Sequence, residues 1–287
     1  MRRWFIAAAA RLLAIMLLAS LTGALLIRYA PGFSSDEQEL NTGLSATSLQ
    51  AIRQAHLAES NLPRFYLQYL GSLVRGDLGK SLSLQQPVRE LLRERLPITA
   101  RNLGYALLLA WLLGLALAGA SAAWASRFLA AAGEGVSGVF ISTPAAALAL
   151  IFVFLRLPPF AAAALLLFPK IYRYSSNLLR EGYEAPHVLM ARAKGAGRWR
   201  LLAWHVAPVS LPQWIALLGV SMSVAIGVLL PIEVISDVPG IGQLAWQAAQ
   251  SRDLTLLVNL TLIVTFLTVC ATTLSDAARR GFTRSAA

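Results

Sequence analysis

Residues 181–212 read EGYEAPHVLMARAKGAGRWRLLAWHVAPVSLP, a basic, helix-forming stretch that interrupts two strongly apolar parts of the chain. Its first half is rich in alanine and ends at Gly195, which can adopt the left-handed conformation that closes a helix. The next helix should then have an apolar face made of Trp199, Leu201, Leu202 and Trp204. Such a segment favours a docking site for a cytoplasmic partner. A helix pair lying on anionic lipid fits the basic and aromatic composition equally well.

The composition of the whole chain indicates a membrane protein. Of 287 residues, 57% are hydrophobic and only 14% are charged, whereas soluble domains carry about 25% charged residues. The net charge of +11 comes from arginines that mostly flank apolar runs. This distribution favours membrane topology over binding to nucleic acid. The single cysteine, Cys270, excludes a disulfide framework or a cysteine-based zinc site within this chain.

Six apolar runs approach the roughly 20 residues that a helix needs to cross a bilayer. They lie at approximately residues 5–27, 103–125, 136–155, 160–180, 213–233 and 254–275. The fourth is the least apolar because it contains Lys170 and Arg173. The first has the basic start of a signal peptide, but its length and the lack of a convincing small-x-small cleavage site before Pro31 favour a retained anchor. We therefore predict one all-α, polytopic membrane domain over residues 1–287.

Basic residues set the predicted orientation, because they concentrate on the cytoplasmic side of membrane proteins. The inner segments then hold Arg2, Arg3, Arg127, Arg180, Arg192, Lys194, Arg198, Arg200, Arg279, Arg280 and Arg284. Both termini are therefore expected in the cytoplasm. Residues 28–101 should form a small outer cap, with helical spacing at 47–58, 65–74 and 88–96. Pro144 and Pro231 should kink the third and fifth spans.

Motifs for cofactors and catalysis give no site. Residues 133–138, GEGVSG, fit G-x-G-x-x-G, but they open a membrane span, so close helix packing explains them better. The chain contains no G-x-x-x-x-G-K-[ST], H-E-x-x-H or G-x-S-x-G. We therefore expect a protein that is not an enzyme, has no ATP site of its own, and needs no cofactor or metal.

Residues 191–195, ARAKG, followed by Leu211-Pro212, resemble the "EAA" loop of binding-protein-dependent ABC importer permeases. The closest pattern is the B-type permease of the dipeptide, oligopeptide and nickel class. Similar segments occur in the expected order at 66–70, 76–81, 96–100, 233–242 and 252–253. Pro186 replaces a usual acidic residue, and only residues 156–159 remain of an outer connection that is often longer.

The resemblance implies a type I ABC importer permease-like fold with six transmembrane helices, in the bacterial cytoplasmic (inner) membrane. It implies four kinds of partner: a second homologous permease subunit, two cytoplasmic ATP-binding subunits, an external solute-binding protein and the lipid bilayer. The residues that would couple to the ATPase are Glu181, Ala191, Arg192, Ala193, Lys194, Gly195, Leu211 and Pro212. A segment near an outer gate would contain Glu233, Pro239, Gly240 and Gly242.

Lys170 and Arg173 are candidates for the translocation pathway, because ionisable residues at membrane depth usually face water or a partner. Snorkelling to the cytoplasmic headgroups explains them equally well. The function expected is import of small peptides or a related solute. A membrane channel, scaffold or enzyme that couples to no ATPase is the alternative, and co-purification with ATPase subunits would distinguish the two.

Overall fold

A computed structural model describes residues 10–12, 14–19, 21–22, 25, 69, 71–73, 75–124 and 126–285, with the backbone alone for 279–285. The described residues of the first predicted span are helical. The cap helix predicted over 47–58 lies outside the described residues, as does most of the one predicted over 65–74. Within the described ranges the chain contains helices, turns and one isolated bridge between Lys80 and Pro87. The all-α prediction is therefore confirmed.

The helices from residue 88 onward follow one another with short connections. They are α1 Val88–Trp124, α2 Arg127–Ser142, α3 Ala145–Phe154, α4 Pro159–Tyr183, α5 Pro186–Ala193, α6 Arg198–Leu201, α7 Ala207–Ile235, α8 Ile241–Gln250 and α9 Leu254–Ser285. A π-helical turn, Leu202–Val206, joins α6 to α7.

Three helices within the described residues are long and apolar enough to cross a membrane: Val88–Trp124, Arg198–Ile235 and Leu254–Ala278. They contain the second, fifth and sixth predicted spans. A fourth is obtained if α2 and α3, bent by 97°, are counted together. Helix α4 covers the fourth predicted span, but its second half carries Lys170, Arg173 and Arg180 and it does not meet the same test. The count of six spans stays a prediction.

Two prolines, Pro97 and Pro212, lie inside helices that begin earlier in the chain than the predicted spans do. The prediction of a separate cap helix over 88–96 is wrong, since α1 continues through Pro97 to Trp124. Pro212 likewise lies inside α7, which begins at Ala207, before the fifth predicted span. A proline removes one backbone hydrogen bond, and the hydrogen-bonded turns on both sides keep each of these helices continuous.

Pro144 breaks the third predicted span instead of only kinking it. Thr143 and Pro144 both have extended backbones, with ψ of 122° and 137°. A proline disfavours the helical conformation of the residue before it, which explains why α2 ends at Ser142. The prediction of one kinked helix over 136–155 is therefore wrong, because the chain bends by 97° at Pro144 and forms two helices.

The chain forms two compact units. The first contains residues 1–98 and 239–267, and the second contains 99–238 and 268–287. In the second unit α4 packs against α2, α3 and α7. A Cβ on Gly133 of α2 would overlap the ring of Tyr172 on α4, and one on Gly219 would overlap Ser275. The GEGVSG segment therefore serves helix packing, as its sequence predicts.

Candidate functional site

The predicted docking segment, residues 181–212, forms a helix–turn–helix in the second unit. Pro186 begins α5 at a position where a missing N–H costs nothing. The turn after α5 is a Schellman motif: Gly195 N–H donates to Arg192 O at 3.0 Å, and Ala196 N–H donates to Ala191 O at 3.3 Å. Gly195 has a φ of +84°, which confirms the predicted left-handed turn.

Three buried side chains anchor this segment to the rest of the second unit. Val188 of α5, Leu201 of α6 and Val206 of the π-helical turn are each 1% exposed. They belong to one apolar cluster whose other members lie on α1 and α4: Ala118, Phe168, Tyr172 and Leu179. The segment is therefore packed on the helices of its own chain and does not stand apart from them.

The end of α4 packs closely against the π-helical turn and completes this anchor. A Cβ on Gly182 would lie 2.6 Å from Cγ1 of Val206, closer than real side chains approach. Nearby, the Tyr183 hydroxyl donates a hydrogen bond to the carbonyl of Arg198 at 3.0 Å. Burial raises the pKa of this hydroxyl, while the Arg198 charge lowers it by a smaller amount. The second half of the segment is thus tied to the end of α4.

The opposite side of the segment is open. Leu189 and Met190 are 50% and 65% exposed. The turn that follows them is also exposed, at Arg192, Ala193, Lys194 and Gly195. Ala191 is half-buried. The structure thus presents a small-residue, basic tip of residues 191–195, hereafter the exposed tip, on a base fixed by apolar packing.

Three other predicted coupling residues lie outside the exposed tip, and the residues of the predicted apolar face differ in exposure. Glu181 lies in the last turn of α4, and Leu211-Pro212 lies in α7. Trp199 and Trp204, two members of the predicted apolar face, are 52% and 75% exposed. The π-helical turn changes the helical phase after α6, and only Leu201 faces the core fully.

A cavity of about 370 Å³ lies beside the exposed tip. Helices α1, α2, α4, α5 and α6 contribute its walls. Its lining is basic, with four arginines and one carboxylate, and it also contains three serines: Arg127, Arg180, Arg192, Arg198, Glu184, Ser121, Ser126 and Ser176. The sequence analysis missed this site, because the four arginines are separated along the chain and only the fold brings them together.

The two predicted pathway residues have different surroundings. Lys170 is exposed on α4. Arg173 forms an ion pair with Glu134 of α2, with 3.0 Å between Nε and Oε2. The sequence analysis placed Glu134 in a packing segment and did not identify it as the partner of Arg173. The pair offsets part of the charge of Arg173, and a pathway role stays a prediction for both residues.

The four predicted outer-gate residues divide between the two units. Glu233, in the second unit, is fully buried and accepts a hydrogen bond from the Thr99 hydroxyl at 3.1 Å. Pro239, Gly240 and Gly242 belong to the first unit, where Gly240 caps the start of α8. Pro239 and Gly240 form a turn, whereas Gly242 lies in the first turn of α8; a gate role stays a prediction.

The first unit contains a buried polar cluster around Asp253, at the start of α9. One carboxylate oxygen accepts hydrogen bonds from the Ser81 hydroxyl at 2.6 Å and from the N–H and hydroxyl of Ser83 at 3.0 Å each. The other accepts from Leu256 N–H at 2.9 Å and so caps α9. Two segments quoted for the family resemblance, 76–81 and 252–253, therefore meet in the fold.

Asn259, one turn further along α9, adds to the same attachment. Its amide donates to the carbonyl of Leu78 at 2.9 Å, and its oxygen accepts from the Tyr69 hydroxyl at 2.9 Å. The loop of residues 76–87 is thus hydrogen-bonded both to Asp253 at the start of α9 and to Asn259 within it. Among the residues that the structure describes, no group of three or more His, Cys, Asp or Glu side chains is placed to hold a metal ion.

The apolar helices and the inserted helix–turn–helix define a multi-pass helical membrane protein. Residues 92–286 match the family of binding-protein-dependent transport system inner membrane components. The chain belongs to this family, and the resemblance to ABC importer permeases is confirmed.

Curated relatives carry more specific names. The chain is similar to a Brucella suis protein that carries the name of a peptide permease, with 25% identity over 88% of this chain and 89% of that protein. It is also similar to the oligopeptide transport system permease proteins OppB. The Salmonella typhimurium protein is 28% identical and the Escherichia coli protein is 27% identical, each over 69% of this chain and 72% of the relative.

Proposed function

We propose that this chain is the permease subunit of an ATP-driven importer for small peptides or a related solute. The family membership and the peptide-permease names of its relatives support this proposal. The observation that carries it is the helix–turn–helix of residues 181–212, whose base packs on α1 and α4 while its tip is exposed. A segment with this geometry can transmit a push from a partner to the membrane helices.

The exposed tip would insert into a groove of a cytoplasmic ATP-binding subunit. Ala191, Ala193 and Gly195 are small, so a partner's backbone can approach closely. Arg192 and Lys194 can pair with acidic residues of the partner and fix its position. Because the base is packed on α1 and α4, movement of the tip would move these helices. ATP binding by the partner would then bias the permease between two conformations.

The full assembly would contain a second homologous permease subunit, two cytoplasmic ATP-binding subunits and an external solute-binding protein. This chain would contribute six spans, with both termini in the cytoplasm, and no ATP site of its own. Transport of a solute with a free carboxylate would use Lys170 as a cation along the pathway, since Arg173 is already paired with Glu134.

The proposal is tested by substituting the glycine that closes α5. Gly195→Val forces a β-branched residue to a φ of +84°, a strained conformation that costs about 1–3 kcal/mol. We expect loss of transport and of ATPase co-purification, with membrane insertion unchanged. Gly197→Val is the matched control, because Gly197 has a φ of −66° and no neighbour within 4 Å of a Cβ.

Two results would contradict this role. The first is full uptake by the Gly195→Val variant. The second is a wild-type chain that transports solute but never co-purifies with ATP-binding subunits, as a channel would. In the latter case the exposed Trp199 and Trp204 would indicate that the segment lies on lipid instead.

A further inference from the structure

The basic cavity beside the exposed tip has the composition of an anion site. Four arginines line it, one each from α2, α4, α5 and α6: Arg127, Arg180, Arg192 and Arg198. Glu184 is the one carboxylate among the lining residues, so the lining carries a formal charge of +3 (four minus one). Within the described part of the chain, none of the four arginines takes part in an ion pair. Their charge is therefore available to a ligand.

The cavity is large enough to hold a small anionic group together with part of the molecule that carries it. Its volume of about 370 Å³ lies within the range of about 300–1,000 Å³ typical of ligand pockets. The hydroxyls of Ser121, Ser126 and Ser176 add neutral hydrogen-bonding groups to its walls. Ala122 and Ala130 leave space between the charged side chains. Polar and apolar walls together suit an amphiphilic ligand.

Phosphate matches this lining better than a carboxylate does. A free phosphate or phosphate monoester presents three or more non-bridging oxygens, and a phospholipid diester presents two beside its ester oxygens. These oxygens are arranged tetrahedrally and can engage guanidinium groups from several directions, whereas the two oxygens of a carboxylate lie in one plane. Exposed aromatic residues flank the cavity in sequence: Trp124 and Phe128 are 60% and 80% exposed. Aromatic side chains of this kind concentrate at the headgroup level of membranes. Basic pockets between membrane helices on the cytoplasmic side bind anionic headgroups.

We propose that this cavity binds a phosphate group, carried by an anionic phospholipid of the inner leaflet or by a free phosphate compound. The ligand bridges the docking segment, through Arg198, to Arg127 of α2 and Arg180 of α4. Occupancy therefore stiffens the base of the exposed tip and stabilises the second unit. This proposal concerns a binding site and holds whichever solute the protein transports.

The test uses the full-length chain, with any subunits that co-purify, reconstituted in nanodiscs. Thermal stability is measured in phosphatidylcholine alone, in phosphatidylcholine with phosphatidylglycerol, and in phosphatidylcholine with added inorganic phosphate. We expect stabilisation by one of the two phosphate sources. Stabilisation by phosphatidylglycerol alone identifies the lipid, and stabilisation by inorganic phosphate identifies the free anion.

Arginine variants distinguish binding in the cavity from general attraction to surface charge. The double variant Arg127→Gln/Arg180→Gln should weaken the apparent affinity at least about tenfold, because one charge-assisted contact accounts for about that factor. Arg200→Gln is the matched control: Arg200 is exposed on the same helix as Arg198 but does not line the cavity. Ala130→Met narrows the cavity without removing charge, and it replaces the double variant if that variant does not fold.

Three outcomes would overturn the proposal. One is a wild-type chain that neither phosphate source stabilises. Another is an equal loss of stabilisation in Arg200→Gln, which would indicate general attraction to charge. The third is stabilisation that requires the ATP-binding subunits, since the arginines would then serve a protein partner. Transport by Gly195→Val tests the proposed function, and phosphate binding tests this proposal. If Gly195→Val loses transport but still binds phosphate, the phosphate site does not depend on the docking role.

Discussion

The contact between Gly182 and Val206 predicts a specific energetic coupling at the base of the docking segment. In Gly182→Ala the new Cβ would lie 2.6 Å from Cγ1 of Val206, whereas ordinary contact begins at 3.4 Å. The end of α4 and the π-helical turn must therefore separate by about 1 Å. Overpacking of this kind costs about 1–3 kcal/mol. Gly182 lies in the last turn of α4, so the helix-propensity gain of alanine offsets little of it.

A double-mutant cycle pairs this substitution with Val206→Ala, which removes the methyl groups that clash. Val206→Ala deletes two buried methyl groups, which costs about 2 kcal/mol at roughly 0.8 kcal/mol each, and more if a cavity remains. In the double variant the added Cβ would lie 3.7 Å from the Cβ of residue 206, an ordinary contact. The double variant should therefore be no less stable than Val206→Ala alone, with a coupling energy of about 1–3 kcal/mol.

The measurement is the thermal midpoint of the purified chain and of its three variants in one detergent. Gly135→Ala is the matched control, because a Cβ there meets nothing within 4 Å. It should equal or exceed the wild type in stability. The reasoning is refuted if Gly182→Ala is as stable as its control, or if the effects of the two substitutions simply add.

Two further predictions follow from named contacts. Asp253→Ala should release the loop of residues 76–87 from α9 and speed its backbone hydrogen exchange, because it removes four hydrogen bonds from a buried carboxylate and costs about 2–4 kcal/mol. Asp77→Ala, at an exposed carboxylate of the same loop, should have a smaller effect; equal effects would contradict the reading. Lys170→Gln should lower uptake of substrates with a free carboxylate while Lys170→Arg preserves it, and unchanged uptake by the Gln variant would remove Lys170 from the pathway.

Local chemistry made part of the site predictable. Gly195 was expected to close α5, since glycine alone adopts a positive φ without strain, and it does so. Pro144 was expected to disturb its span, and the restriction that proline places on Thr143 ends α2. The uncharged run over residues 103–125 is expected to form a membrane helix, because length and apolarity alone decide that property.

Other features depend on interactions that no local pattern records. Pro97 lies inside α1 although proline usually ends a helix, because hydrogen-bonded turns on both sides maintain the helix. Trp199 precedes the π-helical turn and Trp204 lies within it, and nothing in the sequence indicates this change of helical phase or the exposure of both rings. The Glu134–Arg173 ion pair joins two helices, and a single sequence does not show which helices pack together.

The central claim is that the exposed tip faces the cytoplasm and receives an ATP-binding subunit. It is tested most directly by labelling Met190→Cys, at a position 65% exposed, in a Cys270→Ser background with an impermeant thiol reagent. The account predicts labelling in inside-out vesicles, no labelling in intact cells, and protection when ATP-binding subunits are bound. Labelling of the same cysteine in intact cells would contradict it.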